Sequence, residues 1–308
     1  MLVPKNVILT FNKLYSTSES SFITYDENLE LISAVNVEGS ITIDTRDGKD
    51  KYIRFSYNKR SSDLSDFSLE RAIPEFANGN VLYAKKYVAC GDSFTHGDFS
   101  STSADGNPEE GSTEYESTYD KRMETFKTYP YWIASRNNMK LVNLAKNGDT
   151  LVNFAQESNL SQIPEDADYI TIKYGINDSH QSVPIGTLSD TDNTTFLGAW
   201  NIVLTWLITN RPNAKIGIIA SNGCDAEEYS KATVSAAKKY GILFIDEENG
   251  ENVPYFLRQT FKANNQGIPS AIKSLRTAQY RVSPTNGHPN IEAHKFESTF
   301  IEAWMRTL

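Results

Sequence analysis

The sequence predicts an α/β chain, in which a mostly parallel sheet covered by helices on both faces follows a small antiparallel β-module. Two observations carry this. After Asn80, short apolar runs alternate with amphipathic stretches, which is the pattern of strands and helices taking turns. Before Asn80 the chain reads as short extended segments separated by turns rich in Asp, Asn and Gly. A length of 308 residues fits this division, with 1–80 as an accessory β-sandwich and 81–308 as the larger domain.

In the first part, extended segments are predicted at Val7 to Phe11, Ser21 to Tyr25, Leu29 to Val37, Ser40 to Asp44 and Tyr52 to Tyr57. Alternation in Ile41 to Asp44 and in Tyr52 to Tyr57 is the period-two mark of a half-buried strand. Tyr25 to Asn28 and Arg46 to Lys49 supply the turns. In the second part, a strand from Val81 to Cys90 runs into Gly91-Asp92-Ser93, and a helix covers Tyr129 to Asn138. A strand at Lys140 to Ala145 precedes a helix that begins at Leu151, and Tyr169 to Tyr174 is the next strand. A helix at Thr195 to Asn210, a strand at Lys215 to Ala220, a helix at Ala226 to Tyr240 and a strand at Ile242 to Asp246 follow. Ile291 to Thr307 closes the chain as a helix. Between them, Asp98 to Lys127 shows no sustained period and reads either as a flap over a site or as a solvated insertion.

Composition narrows the function classes. Apolar residues make up 39% of the chain and charged residues 22%, which suits a folded core. Thirty Lys and Arg against 39 Asp and Glu give a net charge of −9, so a phosphate backbone would be repelled and nucleic acid is not an expected partner. No apolar run approaches the roughly eighteen residues that cross a bilayer, so membrane insertion is not expected. The N-terminus lacks a basic segment followed by a long apolar one, so no signal peptide is evident. Two cysteines, Cys90 and Cys224, are too few for a disulfide scaffold and read as packing residues.

The chemistry gathers at strand ends. Ser93 follows an apolar strand through a tight Gly91-Asp92-Ser93 turn, the place where open α/β sheets present ligands. Two more loops stand at the ends of predicted strands. Gly148, without a side chain, lets its amide approach a substrate oxygen, and Asn177 offers a neutral, orientable donor after Gly175. With the Ser93 amide they form three donors around an oxyanion. A nucleophilic serine needs a base, and of four histidines His288 sits in a loop constrained by Gly287 and Pro289, immediately before the last helix. A metal hydrolase built on His96, Asp98 and His180 is disfavoured by their spacing, so no metal is expected.

Gly91-Asp92-Ser93, Gly148, Gly175-Ile176-Asn177-Asp178 and His288-Pro289, in that order, resemble the blocks of the SGNH, or GDSL-like, serine hydrolases. The resemblance implies a flavodoxin-like three-layer fold, a Ser93 nucleophile with a His288 base, and hydrolysis of acyl esters without a cofactor. The family carries an Asp three residues before the base, and here that position is Thr285. Thr285 itself, Asp178, Asp192 or Glu292 are the candidates to orient His288, or the site is a Ser-His dyad. The N-terminal segments Phe22 to Asn28 and Tyr52 to Asn58 look like the β-modules of glycan-acting esterases and tail-associated proteins. The expected substrate is therefore an acylated carbohydrate or small ester, with an extracellular or phage-tail setting and a homo-oligomer or tail assembly as partner states. The alternative is a phage tail or baseplate glycan-binding protein whose SGNH-like domain has little or no turnover.

Overall fold

The computed structural model describes residues 8–14, 22–26, 28–36, 39–44, 52–55, 69–72, 79–100, 105–220, 227–247, 275 and 278–308. The outer ends of several expected segments (Val7, Ser21, Val37, Ser56, Tyr57 and Ala226), the turn at Arg46 to Lys49, and Cys224 lie outside these residues. The chain divides into two compact units, Met1–Ala84 and Lys85–Leu308.

In the first unit, β1 (Ile8–Leu14), β4 (Gly39–Asp44) and β6 (Leu69–Ala72) form one antiparallel sheet in the order β4-β1-β6. A second antiparallel sheet has the order β3-β2-β5, from β2 (Phe22–Tyr25), β3 (Leu31–Val35) and β5 (Tyr52–Phe55). Phe11 on the first sheet meets Phe22 on the second edge to face, with ring centroids 5.1 Å apart, and both rings are buried.

The second unit is built on a five-stranded sheet in the order β10-β7-β11-β12-β13, parallel at every pairing. Its strands are β7 (Lys86–Gly91), β10 (Lys140–Asn143), β11 (Tyr169–Lys173), β12 (Lys215–Ala220) and β13 (Leu243–Asp246). Within this unit the strand order is 2-1-3-4-5, the flavodoxin-like arrangement, so the chain reverses its direction of travel across the sheet next to β7. β7 begins at Lys86, later than the expected Val81. Asn80 explains the difference, because its side chain accepts from the Leu82 amide and its carbonyl from the Tyr83 amide, folding that stretch into a turn.

Period-two alternation sorts the sheet's two faces. Val88, Cys90, Ile170 and Ile172 point into an apolar core with Leu151 of α4 (Leu151–Phe154), Phe196 and Trp200 of α7 (Phe196–Asn210), and Ala236 of α8 (Glu227–Tyr240). The opposite face carries polar groups: the Tyr87 hydroxyl is 2.7 Å from that of Thr171, and Lys173 is only 1% exposed. That face is covered by α3 (Tyr129–Arg136) and by α9 (Ile291–Met305), which are tied by Arg136 to Glu302 at 2.7 Å. The helices start where the sequence supplies caps: Thr195 accepts from the Gly198 amide and Asn290 from the Ala293 amide. Among the described residues no helix is long and apolar enough to cross a membrane.

The insertion has structure that its sequence did not announce. It holds α2 (Thr113–Thr118), capped by Ser112, and a short antiparallel pair of β8 (Tyr119–Asp120) with β9 (Thr125–Phe126). Residues 101–104 of it lie outside the described set.

Candidate active site

Three loops leave the carboxyl ends of adjacent strands β7, β10 and β11. Gly91 ends β7, and Asp92 caps the single-turn α1 (Ser93–His96) by accepting from the Phe94 amide. Asp92 is fully buried, and burial pushes its carboxyl up to about 7 against the pull of the Phe94 amide and Lys173. Ser93 is the first residue of the turn, so its amide has no partner within the helix. Gly148, in the loop after β10, is exposed, with φ +74° and open space where a side chain would stand. Gly175 caps α6 (Ile176–His180), and Asn177 on that helix donates from its side-chain amide to the Asp149 carbonyl at 2.8 Å. That bond ties the β10 loop to the β11 loop.

His288 reaches the same place from the loop before α9. Its Nε2 lies 2.8 Å from the Ser93 Oγ, and its ring rests against Phe94 with centroids 5.1 Å apart. The other ring nitrogen, Nδ1, is 2.7 Å from the Asn286 Oδ1, which also accepts the His288 backbone N–H at 3.0 Å. The Asn286 Nδ2 donates to the Asp98 Oδ1 at 2.9 Å and to the Asp98 carbonyl at 3.2 Å. These neighbours fix the amide's orientation: a backbone N–H only donates and a carboxylate only accepts. Nδ1 therefore carries the proton, and the Nε2 lone pair faces the serine hydroxyl. Burial pushes the His288 pKa below its ordinary 6.5, while the Asp98 carboxylate pulls the other way.

None of the four residues expected to orient His288 takes that place. The Thr285 side chain is exposed, with its hydroxyl 3.2 Å from that of Ser283. Asp178 is buried and caps α4, accepting from the Leu151 and Val152 amides at 3.0 and 3.4 Å, and burial lifts it to about 6. Asp192 accepts from the Thr194 amide within its own loop. Glu292 is exposed on α9. The residue that meets the ring's Nδ1 is Asn286, one position past Thr285, with Asp98 behind it.

His96 lies by the Gly97 carbonyl, 3.1 Å away, and His180 is exposed. Among the described residues no cluster of three or more His, Cys, Asp or Glu is arranged to hold a metal ion. Cys90 is buried in the apolar core, where desolvation raises its thiol pKa far above the ordinary value, and it does not reach the site.

No protein-family model matches the chain, and no curated protein matches it. Seventy-one solved chains do. One is 17% identical with a TM-score of 0.50, covering 73% of this chain and 97% of its own. Another is described as a possible lipase from Chitinophaga pinensis, 20% identical with a TM-score of 0.48, covering 72% of this chain and 98% of its own. A third is Axe2, an acetylxylan esterase from Geobacillus stearothermophilus, 15% identical with a TM-score of 0.44, covering 72% and 94%. At these identities the likeness is one of fold.

Proposed function

We propose that the chain is a serine ester hydrolase of the SGNH type that removes a short, acetyl-like acyl group from a carbohydrate or related ester. The observation that carries this reading is the 2.8 Å contact between the Ser93 Oγ and the His288 Nε2, made by residues 195 positions apart. His288 takes the Ser93 proton as the Oγ attacks the ester carbonyl. The Ser93 and Gly148 amides and the second N–H of the Asn177 side chain hold the oxyanion. His288 then returns the proton to the leaving alcohol, and water repeats the sequence on the acyl-enzyme. The carbohydrate preference rests on the sequence resemblance of short N-terminal segments, and acetate release from a polysaccharide tests it.

A fluorophosphonate probe should label wild type and not Ser93→Ala, and wild type should release acetate from an acetylated polysaccharide. Unlabelled protein with no acetate release would sink the hydrolase. Saccharide binding that persists in Ser93→Ala would then favour the tail-protein alternative. Asn177→Ala should lower kcat by about 100- to 1,000-fold, the usual cost of one oxyanion donor. Unimpaired turnover in that variant would remove Asn177 from the hole.

The pH profile follows from the base. His288 works only when neutral, and burial holds its pKa below 6.5, so kcat/KM should fall on the acid side of that value and stay level above it. A profile still climbing between about pH 7 and 8 would mean that another group is the base.

A further inference from the structure

We propose that Asp98 supplies the carboxylate of the catalytic machinery from the loop after the nucleophile turn, with Asn286 as the bracket that holds it beside His288. This rests on the hydrolase reading and deepens it. The Asp98 Oδ2 is 3.6 Å from the His288 Nδ1, while Asn286 bridges the two through bonds of 2.7 and 2.9 Å. The two tasks that one aspartate performs in a triad are thereby divided. Asn286 fixes the ring and its tautomer, and Asp98 supplies the negative charge that favours the imidazolium formed when Ser93 gives up its proton. The Nδ1 proton stays on the ring throughout; burial raises the Asp98 carboxyl, while His288 and the Asn286 amide pull it down and favour its ionised form.

The loop is built to hold that carboxylate. Phe99, next to Asp98, is buried, with its ring 5.7 Å from that of Phe126 on β9 and 5.8 Å from that of His294 on α9. The Ser100 amide donates to the Gly106 carbonyl at 2.8 Å, closing the segment beneath Asp98. Gly106, at φ +79°, lies under the Asp98 side chain, so a Cβ there would collide with both carboxylate oxygens. The Asn147 side chain donates to the Asp105 carbonyl, fastening the same segment to the loop that carries Gly148. The start of the insertion is thus a working part of the site. Besides Asp98, the ionisable groups acting on His288 are His294 on α9 and His180 on α6, and Asp105 acts on Asp98.

The test uses Asp98→Asn, which keeps the side chain's shape. It should lower kcat by about 10- to 100-fold with KM nearly unchanged, less than the roughly 10⁴-fold loss that follows when the tautomer is also lost. The acid limb of kcat/KM should move to lower pH, a readout that a merely structural role would not move. Adding Asn286→Asp to Asp98→Asn should restore kcat by placing a carboxylate directly on Nδ1. Wild-type kcat with an unmoved acid limb in Asp98→Asn would overturn the proposal. NMR titration of His288 separates this from the hydrolase reading: its pKa should drop in Asp98→Asn whether or not any ester is turned over. An unchanged titration would reject Asp98 even in an active enzyme.

Discussion

Ser93→Ala should lower the hydrolysis of a small activated acetyl ester by roughly 10⁴- to 10⁶-fold, with little change in thermal stability. In the proposed mechanism the loss is large because the Oγ forms the covalent bond, so no neighbouring group can substitute for it. Stability should hold because the Ser93 hydroxyl's hydrogen bond is to the half-buried His288 ring rather than to a core group. His288→Ala should cost nearly as much. The double variant should be hardly worse than either, because nucleophile and base act as one unit and their effects do not add. Initial rates of the four proteins at one pH check this. A double variant that loses the product of the two single losses would show that Ser93 and His288 work independently, against their 2.8 Å contact.

Much of this arrangement is legible in the sequence because strand ends are local events. An apolar run that stops at Gly91-Asp92-Ser93 says where the chain leaves the sheet. The same holds for the loops with Gly148 and Asn177. The parallel order follows from the alternation of strands and helices, which also places the closing helix at Ile291 to Thr307. Asn286 and Asp98 were not legible, for different reasons. Asn286 lies two positions before His288, but only the fold of the Ser283 turn decides that it and not Thr285 faces the ring. Asp98 meets Asn286 across 188 positions, and no spacing rule reaches that far. A loop between an antiparallel β-pair and the nucleophile turn also carries no hydrophobic period to betray that it is anchored, since its apolar anchor is one ring, that of Phe99, and its other ties are polar.

Lys173 is the other residue that the sequence concealed, as the last position of the apolar strand β11, and its removal should give the largest loss of stability. Its ammonium is buried 2.6 Å from the Glu297 Oε1 and 2.9 Å from the Glu247 Oε2, with the Tyr129 and Phe94 rings 5.4 and 6.0 Å away. Burial alone would lower its pKa, but the two carboxylates hold it above the ordinary value. Two carboxyls around one ammonium leave an excess negative charge in the interior unless one binds a proton. Burial first, and then the neighbouring Glu297, raise the Glu247 carboxyl, which favours its protonated form and a neutral cluster. Lys173→Met should therefore cost about 3–5 kcal/mol at neutral pH, because the buried carboxyls of Glu297 and Glu247 lose their one ammonium partner. Glu247→Gln keeps the cluster neutral and should cost far less.

The pH dependence has a definite sign. Folded Glu247 keeps a proton that an unfolded glutamate, at 4.5, has released, so its contribution to stability diminishes as pH rises above that value. The slope is at most about 1.4 kcal/mol per pH unit for one proton, and Asp92, raised to about 7, acts in the same direction. Buried His294, held neutral well below its ordinary 6.5, acts the other way below that value, so the readout is the difference: in urea melts between about pH 5 and 8 wild type should lose stability relative to Glu247→Gln. Parallel curves would mean that Glu247 is ionised throughout. The consequence reaches the site. Lys173 leads directly into the turn that carries Asn177, and Glu297 stands on the helix that follows His288-Pro289-Asn290. One buried ion cluster thus fixes the supports of the proposed oxyanion donor and of the proposed base. Lys173→Met should accordingly reduce turnover even at temperatures where the protein remains folded.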